Sequence, residues 1–344
     1  MKLINKPLLT IAIPTYNRAS YLQISLEQLF QQIQKIEADE VEILVSDNAS
    51  VDETSLVIRK MFLKGLNVRY EVNSQNIGGD ANIARCFDLA IGNYVLILGD
   101  DDLFVDDGLV YLMKHLRGSN FGVVCMRPYG YNVDFRAEFP GAQGSDIFYN
   151  SQTELFKSVG QYITLISAVV INKKIINDLI ASSLVGVQLH LVQVELIIVA
   201  TLRQNKNLYL NRYLIACKRN NTAVYDFFLI FVRNLSIILD SYKNHGLPSD
   251  SINALENKML ITHFPLYLYR LISRNDNVSI ENTLKILNAR FSKNLRYIIF
   301  ILPIFKMPRF VAEIYIFILI VVGRVLGGDF RRGLWFLINS IRNF

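Results

Sequence analysis

The chain has 344 residues, 51% hydrophobic and 19% charged, which is length for about two domains and too apolar for a disordered protein. Its net charge of +6 invites a polyanionic partner, but the excess is local. Nine basic and two acidic residues give the stretch Arg290–Phe344 +7 and leave −1 for residues 1–289. A neutral body argues against nucleic acid, and a basic, apolar tail points to a membrane surface. Cys86, Cys125 and Cys217 are widely spaced, with no CxxC or Cys/His cluster. That excludes a disulfide framework and a zinc site, and fits reduced thiols in a cytoplasmic protein. The apolar run Leu8–Ile13 is short and lacks a small-residue cleavage site, so no signal peptide is expected.

The first 125 residues alternate strand and helix patterns. Leu8–Ile13 reads as a buried parallel strand stopped by Pro14. Asn17–Ser20 then caps a helix carrying Leu22, Leu26, Leu29, Phe30 and Ile33 at helical spacing. Val41–Val45 is the next strand, and Asp52 and Thr54 cap a helix through Met61. Val68–Val72 is a third strand, Ala81–Ala90 a helix, and Tyr94–Leu98 a fourth strand. Residues 126–172 are less regular, with a strand over Leu165–Ile171. Helical patterns follow over Val187–Leu202, Val224–Tyr242, Ile252–Leu271 and Ile280–Phe291. Repeated β-α-β units predict a parallel sheet with ligands beyond the carboxyl ends of its strands. A catalytic body over 1–220 and a helical part over 221–344 are expected.

Three polar clusters lie at such strand ends. Asp100, Asp101 and Asp102 crowd one end behind Gly99, an arrangement that repulsion makes costly without a cation or donors. Hard divalent ions such as Mn²⁺ or Mg²⁺ take oxygen ligands and bridge one or two carboxylates to substrate phosphates. In an extended chain Asp100 and Asp102 point the same way, making them the expected metal pair. The competing reading is a solvated acidic turn. Ser46–Asp52 follows the second strand, where Asp47 can accept from a base N–H or ribose hydroxyl, or simply shape a turn. Asn73–Asp80 holds Asn76, Gly78 and Gly79, with Arg85 one turn into the next helix as a phosphate candidate. No Gly-Lys-Ser/Thr and no GxGxxG follows, which removes the ATPase and dinucleotide readings.

Ile13-Pro14-Thr15-Tyr16-Asn17-Arg18, Ser46–Ser50 with Asp52, Asn76-Ile77-Gly78, Gly92-Asn93-Tyr94 and Gly99–Asp102, in that order, resemble the family 2 glycosyltransferases of GT-A fold. The resemblance covers roughly residues 1–125 and is strongest to the abequosyltransferase-type branch, which builds bacterial O-antigen or related surface polysaccharide. It implies an α/β, Rossmann-like, mostly parallel sheet flanked by helices, with a helical, membrane-associating C-terminal part. It also implies inverting transfer of a hexosyl or deoxyhexosyl group from a nucleotide-diphosphate sugar, without a covalent intermediate. On the matching positions, Pro14, Thr15, Tyr16, Arg18 and Asp47 would hold the nucleotide, with Asn76, Gly78 and Arg85 beside it. The aspartate triplet would hold ribose and the metal-bound diphosphate, with Asp102 and Asp100 on the metal.

The second half departs from the family pattern. Many relatives open a helix there with an acidic pair, whereas this chain reads Gly186-Val187-Gln188-Leu189-His190-Leu191. Histidine as a residue type suits proton transfer near neutral pH, which makes His190 the expected base. Glu195 lies about 140° around the same helix, and Asp146 is a third candidate. Arg219 falls where a basic residue closes over the diphosphate, and Ser167 is placed on the acceptor side. Tyr297–Phe305 and Ile314–Gly323 fall short of a spanning helix. Helices over about 294–344 are therefore expected to lie in the headgroup region of the cytoplasmic face, with Phe330, Trp335 and Phe336 at the interface. A short span over Phe310–Leu326 is the alternative. A polyprenyl-linked glycan acceptor would require this proximity. A rival from another class is a non-catalytic nucleotide-sugar-binding or assembly protein of the same fold.

Overall fold

The computed structural model describes residues 6–37, 39–141, 144–187, 189–219, 226–274 and 277–326. The chain divides into two compact units: Met1–Gln152 with Tyr162–Thr222, and Thr153–Gln161 with Ala223–Phe344. The short segment Thr153–Gln161 thus leaves the first unit, which the expected division at 220/221 does not anticipate.

The first unit opens with β1 (Leu9–Thr15), α1 (Ala19–Ile33), β2 (Val41–Asp47), α2 (Thr54–Leu63), β3 (Val68–Val72), α3 (Gly79–Leu89) and β4 (Tyr94–Ile97). After an acidic turn come β5 (Leu103–Phe104), α4 (Gly108–Leu116), β6 (Val123–Tyr131) and β7 (Ile147–Tyr149). After α5 (Gln152–Val159), which from Thr153 onward belongs to the second unit, the first unit resumes with β8 (Val169–Asn172), α6 (Val192–Arg203) and β9 (Asn207–Lys218). Among the described residues these strands form one sheet in the order β3-β2-β1-β4-β8-β6-β9-β5, with β7 also on β9. The β3-β2-β1-β4 half is parallel. Beyond β4 the sheet is mixed: β8 is antiparallel to β4 and β6, while β6 and β9 run parallel.

Strand β1 is central because both of its faces are apolar enough to bury. Leu9, Ile11 and Ile13 join the core formed with Leu22, Leu26 and Leu29 of α1. Gly92 follows from the same crowding. A Cβ there would come 2.6 Å from the Thr10 nitrogen, and its N–H donates to Thr10 Oγ1 at 2.8 Å.

The structure corrects the middle of the sequence reading. Strands β6 and β9 occupy stretches read as irregular or left unassigned. Pro128 in β6 is tolerated because the β6–β9 register shifts between Met126 and Pro128, where a ladder N–H is not required. The expected strand Leu165–Ile171 begins late, after a 3₁₀ turn over Ile166–Ala168. The expected helix Val187–Leu202 starts only at Val192.

The second unit is helical: a π-helical turn Leu229–Asn234 leads into α7 (Leu235–Lys243), followed by α8 (Ser249–Thr262), α9 (Phe264–Ser273) and α10 (Asn277–Phe291). A second π turn, Tyr297–Ile301, precedes α11 (Arg309–Leu326). The single helix expected over Ile252–Leu271 is broken at His263. Pro265 has no N–H to give the Ile261 carbonyl one turn back. That carbonyl is covered by Gly323 of α11, where a Cβ would lie 2.4 Å from the Ile261 oxygen. Ala312, Ile316 and Ile320 face the same side. The opposite side of α11 presents Val311, Ile314, Ile318, Val322 and Val325, each 44–53% exposed. No described helix is long and apolar enough to cross a membrane. Phe330, Trp335 and Phe336 lie outside the described residues.

Candidate active site

The carboxyl ends of β1, β2 and β4 converge, and their loops are tied together by side chains. Asp47 ends β2 opposite Thr15 of β1. Its carboxylate accepts from the Ser50 N–H at 2.9 Å and from the Tyr70 hydroxyl at 2.5 Å. Asn17 and Ala49 adopt left-handed backbone conformations, φ 52° and 64°. Asn17 accordingly donates its N–H to Ser50 Oγ and accepts from the Val51 N–H, locking the β1 and β2 loops. Asn48 is the hub of the next loop. Its amide donates to Asn76 Oδ1 at 2.8 Å and its oxygen accepts from Asn73 Nδ2 and the Ile77 N–H, both 2.9 Å. Asn76 and Gly78 are thereby fixed beside Asp47, with Gly78 at φ 88° before α3. Pro14 pairs with Ser46, and Tyr16 stands exposed at the rim.

The acidic residues form a turn rather than an extended stretch, since the Asp102 N–H donates to the Gly99 carbonyl at 3.0 Å. The pairing inferred from alternation therefore fails. Asp100 and Asp101 share a partner instead: Arg18 Nε lies 2.9 Å from Asp100 Oδ1, and its NH2 binds Asp101. Thr15 Oγ1 donates to the other Asp100 oxygen at 2.9 Å. The Arg18 guanidinium also rests over the Tyr21 ring, 4.6 Å from its centroid. Asp102 is held from the opposite side by neutral donors. Ser167 Oγ donates to Oδ2 at 2.6 Å and the Lys218 N–H to Oδ1 at 3.1 Å, with the Cys217 thiol as a weaker third donor. Burial pushes the Asp100 carboxyl up to about 7 against the pull of Arg18. Burial also pushes Asp102 up to about 7, with the Asp101 charge adding to it.

Among the described residues no three His, Cys, Asp or Glu side chains are grouped to hold a metal by themselves. The site still fits a hard divalent ion of the kind completed by phosphate oxygens. Asp102 is oriented by neutral donors that leave its charge uncancelled, so it can still ligate a cation. Asp100 is the poorer ligand, because Arg18 and Thr15 already occupy its oxygens.

The remaining expected residues scatter. Arg85 faces Glu71 at 3.9 Å, on β3. Arg219 lies over Gly130, donates its N–H to the Tyr131 carbonyl, and reaches Glu138 at 4.0 Å. His190 is not on a helix: it precedes α6 in a left-handed turn at φ 60°, exposed, with its N–H on Asp80 at the start of α3. Asp80 also accepts from the Val192 N–H, and its burial holds it above the usual carboxylate range. Glu195 lies in the first turn of α6. Asp146 is engaged with α4, bonded to the Tyr111 hydroxyl and 3.3 Å from His115 Nε2. Ser167 faces Asp102 and not an acceptor space, being 1% exposed. The contributions of Tyr70 and the Lys218 N–H have no signal in the sequence, because each depends on strand register; Asn48 lies in the polar cluster after β2, but its bonds to the Asn73–Ile77 loop are not legible there.

A half-parallel sheet with an acidic turn after its fourth strand is the GT-A glycosyltransferase architecture, and solved structures share it. S. aureus TarS 1–349 in complex with UDP-GlcNAc is 15% identical, with TM-score 0.54 over 96% of this chain and 92% of that one. The Pyrobaculum calidifontis mannosyltransferase PcManGT in complex with GDP-Man and Mn²⁺ is 14% identical, with TM-score 0.54 over 94% and 87%. Residues 10–178, just under half of the chain, match the sequence profile of glycosyl transferase family 2. The abequosyltransferase RfbV of Salmonella typhimurium is 39% identical over 111 residues, 32% of each chain. A Campylobacter jejuni GalNAc(5)-diNAcBac-PP-undecaprenol β-1,3-glucosyltransferase is 34% identical over 110 residues, 31% of this chain and 34% of that one. The chain thus spans about a third of the length of these curated relatives.

Proposed function

We propose that the protein is a glycosyltransferase moving a sugar from a nucleoside-diphosphate sugar onto a hydroxyl of a polyprenyl-linked glycan in bacterial surface-polysaccharide synthesis. The observation that carries this reading is the division of labour in the Gly99–Asp102 turn. Arg18 pairs with both Asp100 and Asp101, while Asp102 has no ion-pair partner among the described residues. The UDP-GlcNAc bound by one similar structure supports the nucleotide-sugar part, the glycosyltransferase names of the relatives support sugar transfer, and the undecaprenol in one of them supports the acceptor class.

In this reading Asp47, Thr15 and Tyr16 receive the nucleoside, with Asn76 and Gly78 presenting backbone beside it. Asp102, with Asp100 as the weaker second ligand, would hold Mn²⁺ or Mg²⁺; when bound, that ion supplies Lewis-acid neutralisation of the departing diphosphate. His190, exposed and with its N–H on Asp80 at the start of α3, is the residue this reading assigns to take the proton of the acceptor hydroxyl. In this reading, as the family resemblance implies, a single displacement inverts the anomeric centre. The exposed apolar face of α11 and the exposed Lys293, Arg296, Lys306 and Arg309 rest on an anionic membrane surface, peripherally and on the cytoplasmic face. Donor hydrolysis with a panel of nucleoside-diphosphate sugars and Mn²⁺ tests the chemistry. Release of free sugar by wild type, and none by D102A, is expected; equal release by D102A overturns the assignment.

A further inference from the structure

The hydroxyl of Ser167 has one proton and two neighbours. The buried Gly99 N–H donates to its oxygen at 2.9 Å, so that contact cannot use the hydroxyl proton. The proton is directed to Asp102 Oδ2, 2.6 Å away. One side chain therefore grips both ends of the acidic turn, the glycine that opens it and the aspartate that closes it. The second Asp102 oxygen is held by the Lys218 N–H at 3.1 Å. Donors on both oxygens fix the plane of the carboxylate and set the direction in which it can accept a further partner. The grip comes from Ile166–Ala168, the 3₁₀ turn that replaces the first residues of the expected strand, and Ser167 is 1% exposed. Its hydroxyl therefore has no role at the surface.

We propose that Ser167 is a positioning residue: through Asp102 it sets the carboxylate direction in which a divalent cation and the donor diphosphate are received. The proposal rests on the metal-dependent reading above. It is distinct from the assignment of Asp102 itself, because Ser167 touches neither ion nor substrate and acts by orientation. Outer-shell hydrogen bonds of this kind are worth about 10- to 100-fold in metal affinity.

The test measures binding, not turnover. Wild-type protein, Ser167→Ala and Ser167→Thr are titrated calorimetrically with UDP, GDP, CDP and dTDP, with and without Mn²⁺. The nucleotide showing the largest Mn²⁺-dependent gain in wild type is carried forward. Ser167→Ala should lose about 10- to 100-fold of that gain while binding the nucleotide alone as wild type does. Ser167→Thr, which keeps the hydroxyl, should recover most of it. An unchanged Mn²⁺ gain in Ser167→Ala overturns the proposal. So does loss of metal-free nucleotide binding in parallel, which would mark a merely structural role. Absence of any Mn²⁺ gain in wild type overturns the metal reading beneath it, a distinguishable failure.

Discussion

The strand-end site of the first unit and helix α11 of the second depart from ordinary burial in opposite directions. At the site, Asp47, Asn48, Asn73, Asp100 and Asp101 are buried polar groups. On α11, Val311, Ile314, Ile318, Val322 and Val325 are apolar groups left in solvent. Buried polar groups survive only with partners, and every one named here has them. An exposed apolar stripe survives without partners only because its cost falls on solvation rather than on the fold. The first departure is therefore sensitive to single atoms, and the second should be silent until a surface is supplied.

The sharpest way to break this comparison is at Asp102. Asp102→Ala should lower kcat by at least about 10²–10³-fold, to undetectable release, because the charge that holds the diphosphate's counter-ion is gone. Initial rates at saturating donor check this. His190→Gln should lower kcat by about 10²-fold with nucleotide affinity unchanged, as removal of a general base does.

Stability should respond next. Arg18→Gln leaves Asp100 and Asp101 facing each other without their cation. The loss should be about 2–3 kcal/mol, below the range for a fully buried pair because the Arg18 side chain is one-fifth exposed. Denaturant unfolding measures it. Asn48→Ala removes one of the two acceptors of the Asn73 amide and strands the Ile77 N–H, and should cost about 1–3 kcal/mol. The smallest effect belongs to α11. Ile314→Ser with Ile318→Ser should change stability by about 0.5 kcal/mol or less per site, yet reduce flotation with anionic liposomes. Unchanged flotation would remove the membrane half of the comparison.

Titration gives a signed test of the same site. Asp100 and Asp102 are both raised to about 7, above the value near 4 that carboxylates have in an unfolded chain. Between these values the folded state binds more protons than the unfolded one. Their contribution to stability is therefore full below pH 4 and lost as pH rises towards about 7. Metal-free melting temperatures should show this loss, and Asp102→Asn should flatten it. A slope unchanged in Asp102→Asn would contradict the assignment.

Much of the fold and part of the site are legible in the residue pattern, for identifiable reasons. The β1, β2 and β4 runs are short, largely apolar and bounded by turn residues, and β3 alternates polar and apolar residues, so period and punctuation agree. The acidic triplet and Asp47 stand out because charges directly behind an apolar strand demand a purpose. The rest depends on contacts distant in sequence. Arg18 meets Asp100 and Asp101 across more than 80 residues. Ser167 reaches Asp102 across 65, from a strand whose first residues curl into a 3₁₀ turn. Alternation misjudges the triplet because it assumes an extended chain, and Gly99 permits a turn. Periodicity puts His190 on a helix because Val187–Leu202 is largely apolar. Its left-handed backbone conformation, with Asp80 on its N–H, is a tertiary effect that periodicity does not carry.

The measurement that bears most directly on the central claim is Mn²⁺-dependent hydrolysis of nucleoside-diphosphate sugars by wild type and Asp102→Asn, followed as release of the nucleoside diphosphate. The account predicts release by wild type that chelation of the metal abolishes, and none by Asp102→Asn although that variant folds and melts at or above the wild-type temperature at pH 8. Equal, chelator-insensitive release by both proteins would contradict it.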